Sequence, residues 1–284
     1  MAESAAALRR RLTAELRRLR AQANLTQRQV ADSLDWSPSK VIRIEQGSVR
    51  IQVTDLQALL VLYGVSDPDP VSELTAMARE SKKLPFTEYR DILSTEAVTY
   101  FQYEANASII RQVALNGVPG LLQTEEYTRA LLKAYRIEGD HADRLVESRK
   151  ERRELFERAT PPQTFFVFDE SVLRRVVGGH KTMSRQIDHL VAMSQRPEVS
   201  IQVLQFSIGA HPALAGPFIL LEFPAANDPD VIFVENALGD TLYRDDPEIT
   251  ARYREQFWTL EDVATPRDDF EKIARSQSWS APVA

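Results

Sequence analysis

Three polar residues, Ser39, Lys40 and Arg43, are spaced so that they lie together on one side of a helix. A Lys or Arg in such a position can donate hydrogen bonds to guanine O6 and N7, and a Ser hydroxyl can serve several bases. Two apolar residues, Val41 and Ile44, would anchor the opposite side of the same helix to a core. The spacing therefore predicts a helix with a buried apolar face and a polar face that can contact base edges.

Two preceding helices would hold this polar face in place. Leucines at three- and four-residue spacing predict a first helix over about 6–22: Leu8, Leu12, Leu16 and Leu19. Thr26 with Gln29 three residues later has the pattern of a capping box, so we expect a second helix from there to about Leu34. Asp35 can adopt the left-handed conformation that ends a helix.

The third helix carries its own start and stop signals. Ser37 is the expected N-cap, Pro38 suits the first turn, and Gly47 suits the position just after the end. Two short helices joined by a tight turn, the second of which can enter the major groove, form a helix-turn-helix. A plain helical bundle with a basic surface is the alternative, because this pattern is degenerate.

Two further helices complete a small all-α domain of five helices, which we predict over residues 1–82. One is expected at about 54–63 with Thr54 as its cap, and the other at about 70–82 with Asp69 as its cap. Residues 1–50 contain ten Lys/Arg and five Asp/Glu, so their net charge is +5, whereas the remaining 234 residues carry 25 Lys/Arg and 36 Asp/Glu. A basic segment in an otherwise acidic chain is a hint of nucleic-acid contact.

The remainder, residues 83–284, predicts an α+β domain with a mixed or antiparallel sheet. A long helical pattern covers about 87–115, and a charged helix is expected at about 141–159. Short β-branched and aromatic runs predict strands at Thr164–Phe168, Val199–Phe206, Pro217–Phe223, Val231–Glu235 and Thr241–Arg244. Helices are expected between and after them at about 170–176, 182–194, 247–263 and 267–276.

Two loops of this domain have alternative interpretations. The first is a candidate loop for a partner or ligand, or else a tight turn that packs two leucines before a helix capped by Thr124; it comprises Pro119, Gly120, Leu121, Leu122, Gln123 and Thr124. The second, Gly178 to Lys181, could hold an anion before a helix or could be a helix-ending turn.

Several classes of function lack their motifs. The chain has no cysteine, so disulfides, zinc-thiolate sites and thiol catalysis are excluded. None of the four histidines has metal-binding spacing, and there is no nucleophile elbow and no phosphate-binding loop. No apolar run is long enough for a membrane-spanning helix. We therefore expect neither an enzyme nor a cofactor, and an enzyme with a DNA-binding appendage is the least favoured interpretation.

The stretch Thr26-Gln-x-x-x-Ala31, Ser37 and Val41-x-x-Ile44-Glu45-x-Gly47 resembles the XRE, or phage-repressor-like, family of helix-turn-helix proteins. The resemblance covers about residues 8–80 and implies a five-helix fold that binds double-stranded DNA. It implies a structural salt bridge between Arg20 and Glu45. The DNA-contacting residues that it implies are Gln27, Ser37, Ser39, Lys40, Arg43 and Gln46, with Gln27 as a phosphate contact and Ser39, Lys40 and Arg43 as base contacts. The sequence departs from the family pattern at Asp35, where Gly is usual, and at Pro38, where a polar residue is common.

Residues of about 87–278, including Val118–Tyr127, Arg149-x-x-Arg152-Arg153 and Gly216-Pro-Phe218, resemble the uncharacterised C-terminal domain of actinobacterial XRE-type regulators of the WhiJ-like and Scr-type, antitoxin-like kind. This resemblance implies a cytoplasmic, nucleoid-associated transcriptional regulator, with a small DUF397 or BldB-like partner protein and a homodimer as expected assemblies. The alternative is a one-component regulator whose C-terminal domain senses a small molecule.

Overall fold

A computed structural model describes residues 5–45, 47, 49, 51–80, 85–224, 228–235 and 241–276. The chain divides into two compact units, residues 1–106 with 224–229 and residues 107–223 with 230–284. The first is helical and the second combines helices with a mixed sheet, which confirms the predicted fold class. The predicted domain boundary between residues 82 and 83 stays a prediction, because residues 81–84 lie outside the described part of the chain.

Five helices open the first unit and share one apolar core. They are α1 (Ala5–Gln22), α2 (Gln27–Leu34), α3 (Pro38–Glu45), α4 (Val53–Leu62) and α5 (Pro68–Glu80). The four leucines that predicted the first helix are all buried, together with Val30 of α2 and Ile44 of α3. Because each fully buried aliphatic side chain contributes roughly 1.5–3 kcal/mol, this shared core is what holds the short helices together.

The residues predicted to cap α2 and α3 do so in the structure. Thr26 Oγ1 accepts a hydrogen bond from the backbone N–H of Gln29 at 3.2 Å, and the Gln29 side chain accepts one from the Thr26 N–H at 2.9 Å. Asp35 ends α2 in the left-handed conformation, with φ 54° and ψ 44°. The Ser37 hydroxyl accepts from the backbone N–H of Lys40 at 3.2 Å, so it caps α3. The predicted boundaries of the helix-turn-helix are thus confirmed.

The caps predicted for the next two helices are wrong. Helix α4 starts at Val53, one residue before the predicted cap Thr54, and its N-cap position makes no side-chain hydrogen bond. Helix α5 starts at Pro68, because proline is favoured at the first helical position and the carboxylate of Asp67 accepts the backbone N–H of Asp69 at 3.2 Å. Asp69 therefore lies inside the first turn.

The long helix predicted over about 87–115 is wrong. Thr87–Tyr89 forms a single 3₁₀ turn, and Ser94 caps a separate helix, α6 (Thr95–Glu104). Ile109–Ala114 then forms strand β1, which is buried on both faces. The strand reads Ile-Ile-Arg-Gln-Val-Ala and does not alternate between polar and apolar residues, so its apolar residues continue the helical spacing of the preceding residues.

The second unit is built on a six-stranded sheet with the order β3-β2-β1-β4-β5-β6. The other strands are β2 (Gln163–Asp169), β3 (Val199–Leu204), β4 (Phe218–Glu222), β5 (Val231–Glu235) and β6 (Thr241–Arg244). Strands β1, β2 and β3 are parallel, and β4, β5 and β6 continue the sheet from β1 in antiparallel fashion. The sheet is therefore mixed, one of the two possibilities the sequence left open.

Helices cover both faces of this sheet. They are α7 (Glu125–Ala134), α8 (Gly139–Arg153), α9 (Glu170–Arg174), α10 (His180–Ser194), α11 (Pro247–Val263) and α12 (Phe270–Ser276). Phe257 and Leu260 of α11 pack with Val113 and Val167 on one face, while Phe168 contacts Phe270 of α12 on the other. Helix α8 ends at Arg153 rather than near residue 159, and a 3₁₀ turn follows it.

One crossover follows from the strand order. The three parallel strands end at the same edge of the sheet, and β4 starts at that edge because Phe218 lies opposite Val113 of β1. The segment 205–217, which connects β3 to β4, therefore passes the carboxyl ends of β2 and β1. We call this segment the crossover strap.

Candidate functional site

Helix α3 has one side buried in the core and one side exposed to solvent. Val41 and Ile44 are buried in the core, whereas Ser39 and Arg43 are exposed one helical turn apart. Arg43 Nε donates a hydrogen bond to the backbone carbonyl of Ser39 at 3.2 Å, so the guanidinium lies along the exposed side of the helix. A guanidinium and a hydroxyl in this arrangement can donate to acceptors on base edges.

Lys40, the third residue of the predicted face, is held by the rest of the unit. Its ammonium lies 2.9 Å from Oδ1 of Asp55 on α4 and 3.7 Å from the centroid of the Trp36 ring. Such a cation is attracted both by the carboxylate and by the face of the indole. Lys40 was predicted to lie on a free polar face, but it is instead paired with an acid 15 residues away.

A buried ion pair lies behind the same helix. Glu45 of α3 is 2% exposed, and its carboxylate receives Arg20 Nε at 2.7 Å and Arg20 Nη2 at 3.1 Å. The remaining guanidinium nitrogen of Arg20 donates to the backbone carbonyl of Leu25 at 2.8 Å. The pair implied by the family resemblance is thus present and bidentate, a geometry that fixes α3 against α1 and the start of α2.

Gln27, the predicted phosphate contact, belongs to this network. Its side-chain nitrogen donates to Glu45 Oε2 at 2.8 Å, and the residue is half-buried at the first position of α2. This orientation leaves the second N–H of the Gln27 amide and the first backbone N–H groups of α2 as the donors that could meet a phosphate, whereas the amide oxygen only accepts hydrogen bonds. The phosphate role stays a prediction, and Gln46 lies outside the described residues.

Two more side chains define the electrostatics behind α3. Arg9 of α1 is buried and donates to the carbonyl of Gly47 at 3.2 Å, which ties down the chain just after α3. Tyr63 is buried near the ion pair; burial first, and then the negative charge of Glu45, raise the pKa of its hydroxyl, with Arg20 acting in the opposite sense. Tyr63 is therefore neutral at physiological pH and is a packing group.

The loop predicted as a partner or ligand loop folds inward. Gly120–Leu122 forms a 3₁₀ turn in which Leu121 and Leu122 are buried, and Thr124 caps α7 by accepting the Tyr127 N–H at 3.3 Å. Pro119 is buried as well. A Cβ on Gly120 would lie 3.0 Å from Arg152 Nη1, so the close approach of that guanidinium explains the glycine.

Side chains from two helices, together with Gln123 of the loop itself, hold this loop by its backbone. Gln186 of α10 donates to the carbonyl of Leu122 at 2.7 Å and accepts the N–H of Thr124 at 2.8 Å. Gln123 donates to the carbonyl of Val118 at 2.8 Å, and its own carbonyl accepts Arg153 Nη1 of α8 at 3.1 Å. These contacts support the interpretation as a packed turn, and a role in partner binding stays a prediction.

Comparisons with known families agree with this division of the chain. A family described as a helix-turn-helix domain matches residues 11–74. A second family, the domain of unknown function DUF5753, matches residues 97–273, more than half of the chain. The chain belongs to the DUF5753 family. No curated protein and no solved structure matches it significantly. The helix-turn-helix domain supports a DNA-binding regulator of transcription.

The DUF5753 domain contains a charged network between β1, β4 and α11. Arg111 Nε lies 2.7 Å from Glu222 Oε1, and Arg254 Nε lies 3.3 Å from Glu222 Oε2. Arg254 also pairs with Asp230, and Arg111 Nη1 lies 3.9 Å from Glu261 Oε2. Burial raises the pKa of Glu261, and the positive charge of Arg111 partly offsets this. The network links the central strand to the helix that covers it.

A second polar group of the DUF5753 domain lies at the carboxyl edge of the parallel strands. Asp169 ends β2 and accepts the N–H of Ser171 at 2.8 Å, and its second oxygen lies 3.8 Å from His211 Nε2 on the crossover strap. Glu170 accepts Arg174 Nε at 2.7 Å and the backbone N–H of Phe206 at 2.7 Å. His211 and Asp169 are 42 positions apart in the sequence, with no spacing that signals their contact, so this juxtaposition was not predicted.

The Gly178-Gly179 loop of the DUF5753 domain precedes α10. Both glycines have positive φ, 71° and 87°, and a Cβ on Gly178 would lie 2.7 Å from the Cβ of Ala130. Packing and backbone conformation therefore account for the glycines, and an anion at this loop stays a prediction. Within the described ranges there is no cluster of three potential metal-ligating side chains, and none of the helices is long and apolar enough to cross a membrane.

Proposed function

We propose that the protein is a sequence-specific transcriptional regulator that binds DNA through α3 and is not an enzyme. The observation that carries this proposal is the exposed pair Ser39 and Arg43 on a helix whose other side is fixed by the core and by the Arg20–Glu45 ion pair. Fixing the helix from behind gives the two exposed side chains a defined position, which base recognition requires. Such a protein would act in the cytoplasm, at the nucleoid.

The test is a comparison of two arginines in one unit. The preferred sequence is first selected from random duplexes. Replacing Arg43 with Ala should then cost about 1–3 kcal/mol of binding free energy at that sequence and relax one base preference. Arg79→Ala on α5 removes the same charge from an exposed position and should leave the preference unchanged. A uniform loss over all sequences would make Arg43 a phosphate contact, and no selectable sequence would refute the proposal.

The second unit is proposed to control DNA binding by forming a homodimer and by binding a small partner protein of the DUF397 or BldB-like type. If the protein is a dimer, the selected site should be a pseudo-palindrome whose half-sites are centred about 34 Å apart. Native mass spectrometry of the tagged protein, purified from its own cytoplasm, would test both assemblies. A co-purifying small protein supports this arrangement, whereas a bound metabolite supports the one-component sensor.

A further inference from the structure

The crossover strap brings a histidine onto the carboxyl edge of the sheet. Its thirteen residues must pass two strands, a distance of about 14 Å at the usual spacing between strands. It is held at its start by the hydrogen bond from the Phe206 N–H to Glu170, and in its second half by Ala213, which is buried in the core beneath α11. His211 lies between these two attachments. Ligands of α/β sheets bind preferentially at this kind of edge, outside the carboxyl ends of parallel strands.

His211 is buried without the hydrogen bonds that an imidazole requires. Its side chain is 5% exposed, and its Nδ1 is a buried polar atom with no hydrogen-bond partner among the described residues. Its Nε2 faces the Asp169 carboxylate at 3.8 Å. Because a carboxylate only accepts hydrogen bonds, the tautomer with its proton on Nε2 suits this neighbour, and Nδ1 then presents an unmatched lone pair.

The carboxylate of Asp169 likewise has few hydrogen-bond donors around it. One of its oxygens accepts a backbone N–H, and no Lys or Arg of the described residues lies within 4.0 Å of its carboxylate. The adjacent Glu170 differs, because its charge is paired with Arg174 and its second oxygen accepts a backbone N–H. The missing group at this place is a cation that donates several hydrogen bonds, and a primary ammonium is the small organic group with that property.

The strap also presents apolar side chains to solvent. Phe206 is 55% exposed and Leu214 is 64% exposed, and they flank His211 on either side along the chain. Exposed apolar side chains such as these can contact the apolar part of a ligand. We propose that the Asp169 carboxylate, beside His211, binds the ammonium group of a small organic amine, whose apolar part contacts the strap.

The backbone of the strap permits access to this site. Residues 205–207 and 209–210 are exposed, and Gly209 has φ 75° with no atom within 4 Å of the place where a Cβ would lie. An amine can approach Asp169 past this exposed first half of the strap, while the buried Ala213 keeps the second half in place. The proposal names a ligand for the one-component alternative above, but it does not depend on DNA binding.

The experiment uses the full-length protein and benzylamine as the probe, with benzyl alcohol as an uncharged probe of similar shape. Binding is measured by calorimetry, and the imidazole C–H signals of the four histidines are followed by NMR, with the His211 signal assigned from a His211→Gln variant. Benzylamine should bind and shift the His211 signal, and benzyl alcohol should bind about tenfold more weakly or worse.

Two variants locate the site. Asp169→Asn keeps an N-cap residue in place but removes the charge, and it should weaken benzylamine binding about tenfold or more. Asp140→Asn, at an exposed position at the start of α8, is the matched control and should leave binding unchanged. Equal binding of amine and alcohol, unaltered binding by Asp169→Asn, or no shift of the His211 signal would each overturn the proposal. The Arg43→Ala test of DNA binding is independent of all three results.

Discussion

Each unit of this protein contains a partly buried network of ion pairs, and the two networks differ in how they are built. In the helix-turn-helix unit, one arginine and one glutamine converge on Glu45 from positions 25 and 18 residues away. In the DUF5753 domain, Arg111 reaches Glu222 over 111 residues, and Arg254, Asp230 and Glu261 provide additional charges. The first network has a single carboxylate for its arginine, whereas the second has several.

This difference separates two ways of fixing a functional surface. A single bidentate pair defines one geometry for α3, but it leaves a buried, unpaired charge if either partner is lost. A network with several carboxylates tolerates the loss of one, because neighbouring acids still compensate the arginines. We therefore expect the DNA-binding surface to be the more sensitive of the two to a single substitution.

The largest effect is expected for Glu45→Ala. It leaves the guanidinium of Arg20, which is 19% exposed, without its carboxylate, and breaking such a pair costs about 3–5 kcal/mol of unfolding free energy. Calorimetric unfolding should show the loss in the transition of the helical unit. Glu73→Ala, which breaks an exposed pair with Arg11, should cost about 0–1 kcal/mol. Equal losses for the two variants would contradict a structural role of the Arg20–Glu45 pair.

Glu222→Ala should have a smaller effect, about 2–3 kcal/mol. Asp230 and Glu261 remain near the two arginines and keep them partly compensated. The transition of the DUF5753 domain should move to lower temperature, while DNA binding measured well below it should be retained. A loss larger than that of Glu45→Ala would reverse the comparison between the two networks.

Asp55→Asn should strengthen DNA binding modestly, by about 0.5–1 kcal/mol. It releases the ammonium of Lys40, which can then neutralise a phosphate, so the slope of log K against log salt should steepen by up to about 0.9. Asp69→Asn changes the charge of the same unit equally and serves as the control. If Asp55→Asn strengthens DNA binding equally in a Lys40→Ala background, release of Lys40 is not the cause of the gain.

The smallest effect is a pH dependence in the DUF5753 domain. Burial and then the charge of Arg153 lower the pKa of His189 in the folded state. The unfolded state therefore binds the proton more readily than the folded state. The contribution of neutral His189 to the free energy of unfolding is fully present above the ordinary histidine pKa, and it is lost as the pH falls below about 6.5. His189→Gln should reduce the loss of unfolding free energy between neutral and acidic pH, by less than about 1 kcal/mol. His141→Gln, at an exposed position, should not.

The helices of the first unit were predictable because their signals are local. Thr26, Gln29, Asp35 and Ser37 act within about one helical turn of their own positions, so the sequence alone indicates where α2 and α3 begin and end. Strand β1 was not predictable in this way. Its residues do not alternate between polar and apolar, and its identity as a strand depends on pairing with β2 and β4, which lie far along the chain.

The candidate site shows the same limit at the level of side chains. The exposure of Ser39 and Arg43 follows from helical periodicity. The partners of Lys40 and Gln27 do not, because Asp55 and Glu45 reach them only after separate helices have packed. The approach of His211 to Asp169 likewise depends on the strand order, which places the crossover strap along the edge of β2.

The pairing of β1 with β4 also has a consequence for biosynthesis. The five N-terminal helices have a core of their own from Leu8 to Ala78, which can form as soon as those residues leave the ribosome. Strand β1 must wait for β4, so the centre of the second sheet cannot close until translation has passed Glu222. We therefore expect a nascent chain on which the helix-turn-helix is folded while the apolar strand β1 still needs protection from aggregation.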